Sequence, residues 1–188
     1  MMSATLPPVD ASWLASLDEA TLHETLLARV EAAWRVALDV HPDLPRPRVW
    51  LDLRGKGAGQ AHFTRGGLRF NPVLLRENRQ AFMEDVVPHE MAHWLVFHLD
   101  GPPTRPHGHE WRTVMQRLYG LPPRTTHRFD VSRASPAPYV YRCGCDTEHR
   151  FSARRHARAR RGTAYRCRYC RQRLRFAAQN ACNDDVTQ

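Results

Sequence analysis

The chain has 188 residues, is 42% hydrophobic and carries 28 Lys/Arg against 19 Asp/Glu, enough for one packed domain of about 100–150 residues plus a small module. No window approaches 18 uninterrupted apolar residues, and the first residues show neither a basic start nor an apolar signal core, which excludes membrane-spanning and secreted readings and predicts a cytoplasmic protein. The net charge of +9 is unevenly placed, since residues 1–100 hold 10 basic and 13 acidic side chains and residues 101–188 hold 18 and 6. Lys56 is the only lysine, so the basic half is entirely arginine, whose planar fork matches phosphate oxygens and implies a polyanion partner. A genome rich in arginine codons would raise Arg everywhere and does not explain the asymmetry.

Residues 1–15 show no periodic pattern and are expected to be flexible. From Thr21 to Val40, Leu22, Leu26, Leu27, Val30, Trp34 and Leu38 recur at helical spacing, and Thr21 with Glu24 reads as a capping box. After the Pro-rich stretch 41–47, Val49, Leu51 and Leu53 alternate with Trp50 and Asp52, and Leu68 and Phe70 flank Arg69; these predict strands of a small sheet. Glycines 55, 57, 59, 66 and 67 mark turns between them. No Gly-Lys-Ser/Thr follows the glycine-dense stretch 55–59, so it reads as a loop between strands and not as a phosphate cradle.

The segment Phe82 to Leu99 is strongly apolar and contains His89-Glu90-Met91-Ala92-His93. On a helix, residues four apart lie one above the other, so His89 and His93 can converge on one metal ion with Glu90 beside them as general base. Chance gives such a run in roughly a few per cent of chains with this composition. Pro88 requires the helix to begin near Val87 or to be kinked just before His89, and Gly101, Pro102 and Pro103 end it. A zinc hydrolase needs a third ligand and an open position for water. His98 lies about 140° round the helix from His93 and faces elsewhere. In the next helix the apolar face is Trp111, Val114, Met115 and Leu118, which favours His107, four residues before Trp111, over His109, with Glu110 as runner-up.

Four of the five cysteines form two close pairs, Cys143/Cys145 and Cys167/Cys170, separated by 21 residues. That spacing suits thiolate metal binding in a reducing compartment and a ribbon with a long excursion between its knuckles, while Cys182 reads as a spare thiol. Between Arg142 and Arg175 stand 12 arginines and two acids, with Tyr165 and Tyr169 among them. The bland reading is a solvated charged face. The excess of arginine surpasses what solubility requires, so Arg154, Arg155, Arg158, Arg160, Arg161 and Arg168 are expected to contact nucleic acid, with rings available to stack on bases.

The stretches VVPHEMAHWLV, PHGHEW, LYGLPPRTTHRF, YRCGC, RRHARARRG and YRCRYC together resemble the bacterial branch of the SprT-like family, over roughly Leu22 to Phe176. The resemblance implies an α+β fold: a minimal zincin-like metallopeptidase domain at 16–135, an Arg-rich zinc-ribbon-like module at 136–177 and a polar tail at 178–188. It implies one catalytic zinc on His89, His93 and His107 with Glu90 catalytic, and a structural zinc on Cys143, Cys145, Cys167 and Cys170. Ala58–Ala61 and Leu68–Asn71 resemble the family's strands beside the cleft. Where the family pairs two CxxC knuckles, the first is shortened here to Cys143-Gly144-Cys145, so His149 can stand in place of Cys145. The family's eukaryotic relative Spartan is a DNA-dependent protease of proteins crosslinked to DNA, which implies a protein substrate and a DNA partner here, with RNA left open. Two rivals are a catalytically idle, zinc-stabilised nucleic-acid-binding protein and a protease of soluble proteins.

Overall fold

The computed structural model describes residues 6–102, 105–145 and 147–179, which fall in two compact units, Met1–Asp130 and Val131–Gln188. Cys182 lies outside the described residues. In the first unit, the segment expected to be flexible contains a helix, α1 (Ala11–Ser16), whose Asp10 carboxylate accepts the Ser12 and Trp13 N–H groups. Leu14 is fully buried. The Arg79 guanidinium donates to the Leu14 and Leu17 carbonyls at 2.8 Å each, closing the C-terminal end of this short helix.

The amphipathic segment forms α2 (Glu19–Leu38), burying Leu22, Leu26, Val30, Ala33 and Ala37 as one stripe. The capping box expected at Thr21 and Glu24 does not form. Asp18 caps the helix three residues earlier, its carboxylate accepting the Thr21 N–H at 2.8 Å, and this places Thr21 inside the first turn.

Three short strands follow: β1 (Arg48–Trp50), β2 (Gly59–His62) and β3 (Gly67–Phe70), in the order β1-β3-β2. β1 runs parallel to β3, β2 antiparallel, and Val49 and Ala61 flank Leu68. The alternating pattern predicted a strand to Leu53, but pairing stops at Trp50, where Asp52 turns to bind Arg69 Nε at 2.7 Å and Arg65 Nη1 at 3.0 Å. Conversely, Gly59–His62, whose glycine read as a loop residue, is an edge strand. At Gly67 an added Cβ would collide with the Arg48 backbone, so glycine is what lets β1 and β3 pair there.

Asn71 then caps α3 (Pro72–Glu77), and a single turn, α4 (Arg79–Ala81), leads into a wide π-helical turn, Phe82–Val86, and α5 (Val87–Asp100). The wide turn explains Pro88. There the Val87 N–H reaches back five residues to the Phe82 carbonyl, so the next carbonyl, Met83, is aligned with the nitrogen of Pro88, which has no hydrogen to donate. Arg29, from the buried face of α2, supplies the donor: its Nε lies 2.9 Å from the Met83 carbonyl and its Nη1 2.6 Å from the Pro7 carbonyl. After α5 come α6 (His109–Thr113) and a second π-helical turn, Val114–Leu118.

The second unit pairs β4 (Tyr139–Arg142) with β5 (His149–Phe151) and β6 (Arg175–Gln179), antiparallel, in the order β5-β4-β6. Its helix α7 (Ala153–Arg160) is capped by Ser152. Tyr141, Phe151, Cys167 and Leu174 are its buried cluster, a thin core of the kind that metals or disulfides reinforce in small units. Among the described residues no helix is long and apolar enough to cross a membrane.

Replacing Arg29 by Met keeps an apolar stem but leaves the Met83 carbonyl without its donor. The expected loss is about 1–3 kcal/mol of unfolding free energy, read by urea titration of tryptophan fluorescence, since all five tryptophans lie in the first unit. An unchanged midpoint would remove this role for Arg29.

Candidate functional site

α5 carries His89 and His93 on successive turns of one face, and His107 reaches them from the turn before α6. The helical-register reason for preferring His107 therefore does not describe the structure, because the helix starts two residues later. The three Nε2 atoms form a nearly equilateral triangle: 3.2 Å from His89 to His93, 3.2 Å from His93 to His107 and 3.1 Å from His107 to His89. The rings meet at 63–65°, so three nitrogens face a common centre.

A neutral imidazole bears a single ring hydrogen, directed outward in the ring plane. Three such rings facing one point cannot all be paired by hydrogen bonds among themselves, and their lone pairs repel. A cation removes that repulsion. Tetrahedral Zn–N bonds of about 2.0–2.1 Å set ligand nitrogens about 3.3 Å apart, close to the observed edges, so the donor set fits zinc. Burial holds His89 down from 6.5 to about 4 and His93 to about 3, and lowers His107 as well. All three are therefore neutral, the ligand form, at neutral pH. Trp111 walls the site, its ring centre 4.7 Å from His89 and His107 and 5.4 Å from His93, and its indole N–H donates to the His89 carbonyl at 3.3 Å.

Glu90 is 7% exposed. One carboxylate oxygen accepts the Ala61 N–H of edge strand β2 at 2.8 Å. Burial pushes its pKa up to about 8, with the Ala61 bond opposing the shift. The position opposite is Gly59, where an added Cβ would stand 2.5 Å from Glu90 Cγ and 2.7 Å from Oε1; a glycine read as a turn residue is the space the carboxylate occupies. Asn71, also buried, fixes the approach to this strand. Its amide donates to the Gly55 and Gly57 carbonyls at 3.0 and 3.2 Å while its oxygen accepts the Val73 and Leu74 N–H groups. His109 and Glu110 are exposed in the first turn of α6. His98 packs against Trp94, 4.4 Å between ring centres. None of these three joins the imidazole cluster.

In the second unit the sulfurs of Cys143, Cys145, Cys167 and Cys170 lie within 4.8 Å of one another. Cys145 and Cys167 are 3.8 Å apart, the edge length expected of thiolates about 2.3 Å from a tetrahedral zinc. His149 Nε2 stands 4.0 Å from Cys143 Sγ. Hydrogen bonding pulls Cys145 down to about 6, lowers Cys167 through backbone N–H groups and pushes Cys143 up to about 12, so the arrangement favours thiolate, the ligand form of cysteine, at Cys145 and Cys167.

Of the arginines expected to meet nucleic acid, Arg154, Arg158 and Arg161 are exposed on or just after α7. Arg155 lies over Phe151 and Tyr165 at 4.0 and 4.6 Å, and Arg168 over Tyr169 at 4.8 Å. Arg160 joins two that the sequence did not single out, Arg173 and Arg175, around a cavity of about 380 Å³ walled by Tyr165 and Phe176 and floored by Leu174 and Tyr141.

These features define an α+β chain of two units with two donor sets, three imidazoles and four thiols, each able to hold a metal ion. Residues 33–127 match the SprT-like family, and the chain belongs to that family. Protein SprT of Pseudomonas paraeruginosa (strain DSM 24068 / PA7) is 47% identical over 160 residues, covering 83% of this chain and 96% of that protein. Protein SprT of Pseudomonas syringae pv. tomato (strain ATCC BAA-871 / DC3000) is 41% identical over 160 residues, with 84% and 98% covered, and Protein SprT of Pseudomonas fluorescens (strain Pf0-1) is 42% identical over 158 residues, with 83% and 96% covered.

The buried groups set the pH dependence of the metal-free fold. Unfolded, His89 and His93 protonate near 6.5; folded, they stay neutral to about 4 and about 3. Glu90 is the reverse, ionising near 4.5 when unfolded and near 8 when folded. Between about pH 4.5 and 6.5 the unfolded state binds more protons, two histidines outweighing one glutamate, so stability rises with pH. From 6.5 to 8 the glutamate alone remains and stability falls. Urea midpoints of metal-free protein, read by tryptophan fluorescence, should peak near pH 6.5, and the alkaline limb should vanish in Glu90→Gln. A flat profile would contradict the burial assigned to these side chains.

Proposed function

We propose that the protein is a zinc-dependent metallopeptidase of the cytoplasm, acting on DNA-bound proteins, including those crosslinked to DNA. The observation that carries the hydrolytic half is the pairing of three convergent neutral imidazoles with a buried glutamate on the helix that carries two of them. His89, His93 and His107 would hold the zinc of a zincin-like domain, and the four thiols, with His149 beside Cys143, a structural zinc in a ribbon-like module. Zinc at the three imidazoles supplies Lewis acidity to water and to a scissile carbonyl. Glu90 does the proton work: a carboxylate Oε takes the proton of the attacking water and delivers it to the nitrogen of the leaving amine. Burial favours the protonated form of Glu90 in the metal-free protein, and a cation at the three imidazoles would favour the ionised form, which is the one that takes the proton. The Ala61–Glu90 bond turns the free edge of β2 toward this glutamate, and an extended substrate would pair its backbone along that edge.

The DNA half is supported by where the charge lies. The first unit holds 15 Lys/Arg and 15 Asp/Glu, the second 13 and 4, so the whole excess belongs to the small unit. Four arginines on the eight-residue α7 face no acid on their own helix, and such like-charge spacing is unfavourable until a polyanion neutralises it. Arg160, Arg173 and Arg175 around a ring-walled cavity suit phosphates flanking a stacked base.

Incubating zinc-loaded wild type and Glu90→Gln with a protein crosslinked to single-stranded DNA tests both halves. Wild type should cleave and Glu90→Gln should not, with equal zinc content. No cleavage by either, with both sites loaded, would overturn the peptidase. Equal cleavage of the free protein without DNA at low salt would remove the DNA half. For binding alone, replacing Arg160, Arg173 and Arg175 by Ala should flatten the slope of log affinity against log salt by about 2.

A further inference from the structure

In the ladder between β2 and β3, the Asn71 N–H donates to the Ala58 carbonyl at 2.9 Å, and Gln60 and His62 stand opposite Arg69 and Gly67. Antiparallel pairing alternates, so residues 58, 60 and 62 direct their backbone groups at β3. Gly59 and Ala61 turn theirs to the open edge, where the Ala61 N–H meets Glu90. The strand ends on an aromatic residue. Phe63, directly after His62, opens a single 3-10 turn (Phe63–Arg65), and its ring lies flat on that of Phe97, with centres 4.0 Å apart and planes 8° apart.

Phe97 belongs to α5, four residues past His93 and seven past Glu90. The helical pitch sets it within about 40° of His93 and about 20° of Glu90 round the axis, and about 6 Å and about 10 Å farther along it. It therefore continues the stripe that carries two imidazoles and the glutamate, while bearing no group that could ligate or move a proton. Trp94, one turn before Phe97 and buried, lies nearly parallel to Phe63 at 6.2 Å between centres. Its indole N–H is held by the Pro45 carbonyl at 2.8 Å, which fixes the rings it packs against. Phe63 and Phe97 themselves are only half-buried. The helix of the histidine centre and the strand that reaches its glutamate each contribute one ring, and together they present the kind of apolar surface on which binding sites hold apolar side chains.

We propose that Phe63 and Phe97 form a shelf that selects a large apolar side chain, aromatic above all, on the N-terminal side of the bond to be cleaved. The proposal rests on the peptidase reading above and names the substrate sequence that site prefers. Antiparallel pairing is the more stable kind, so an extended substrate on the open edge runs against β2, and its residues near Phe63 precede the scissile bond. An extended chain advances about 3.3 Å per residue. The distance from the histidine centre to Phe97 along α5 therefore spans roughly two or three substrate residues.

The test uses unstructured Gly/Ser-rich peptides in which one Phe is moved position by position, incubated with the zinc-loaded full chain and single-stranded DNA, with cut sites mapped by mass spectrometry. Wild type should cut two or three residues after the Phe, and the cut should move with it. Phe97→Ala should lose this phasing together with about tenfold in kcat/KM, and Phe97→Leu, which keeps an apolar surface, should recover most of it. Cuts that ignore the position of the Phe would overturn the shelf and leave the peptidase standing; this reading needs wild type alone, should Phe97→Ala fail to fold. Fluorescence anisotropy of the same peptides on zinc-loaded Glu90→Gln separates the two claims. About tenfold tighter binding of Phe peptides than of a Phe-free one, removed in Glu90→Gln/Phe97→Ala, would support the shelf even if wild type cut nothing and the peptidase reading fell. Equal binding of the Phe and Phe-free peptides would overturn the shelf.

Discussion

Keeping Glu90 out of water beside three half-buried imidazoles is the constraint on which the rest of the first unit depends. Desolvation disfavours every charged form there, which drives the histidines neutral and the glutamate toward protonation. Neutral imidazoles are the ligand form, and a cation among them would restore the charged carboxylate. Removing water from these groups thus suits the donor set to a metal, and the neighbouring backbone is arranged to tolerate it: the Ala61 N–H satisfies one carboxylate oxygen and the absent side chain of Gly59 leaves its volume free.

The helix that presents these residues is itself held by an exchange of donors. Pro88 stands in the first turn of α5, where its missing N–H costs least, but the wide turn before it leaves the Met83 carbonyl in need of a partner. Arg29 answers that need from inside α2 at the expense of burying a guanidinium, which lowers its own pKa. A π-helical turn on each of the two segments that supply imidazoles or their supporting wall, Phe82–Val86 and Val114–Leu118, fits the general tendency of such turns to occur at functional sites.

Much of this was legible in the sequence, for reasons that differ from residue to residue. The His89/His93 pair and the cysteine pairs are readable because ligand spacing is a local property, set by helix pitch or by a tight turn. The α2 stripe is readable because one face is continuously buried. By contrast, Asp18 displaced the expected cap because two acceptors compete for the same N–H and only geometry decides. The family resemblance pointed to a strand at Ala58–Ala61, but the residues by themselves did not announce β2, because Gly59 and Ala61 are poor strand formers on propensity; Gly59 leaves room for Glu90 and Ala61 gives it an N–H. His107 came to the centre from a turn, so a periodicity argument pointed to it for the wrong reason. The involvement of Arg29, Arg173 and Arg175 depends on contacts distant in sequence, which no motif announces.

The two units divide the physical work. The first is electrically balanced and builds its site by exclusion of water, whereas the second has a thin core, four converging thiols and all of the net charge. For such a small unit a metal among the sulfurs would substitute for apolar burial. The most direct measurement is anomalous diffraction at the zinc edge from crystals of the zinc-loaded full chain. Two peaks are expected, one equidistant from the Nε2 atoms of His89, His93 and His107 and one among the sulfurs of Cys143, Cys145, Cys167 and Cys170. A peak at the sulfurs alone, with the three imidazoles hydrogen-bonded around water, would contradict the metal centre on which the peptidase reading stands.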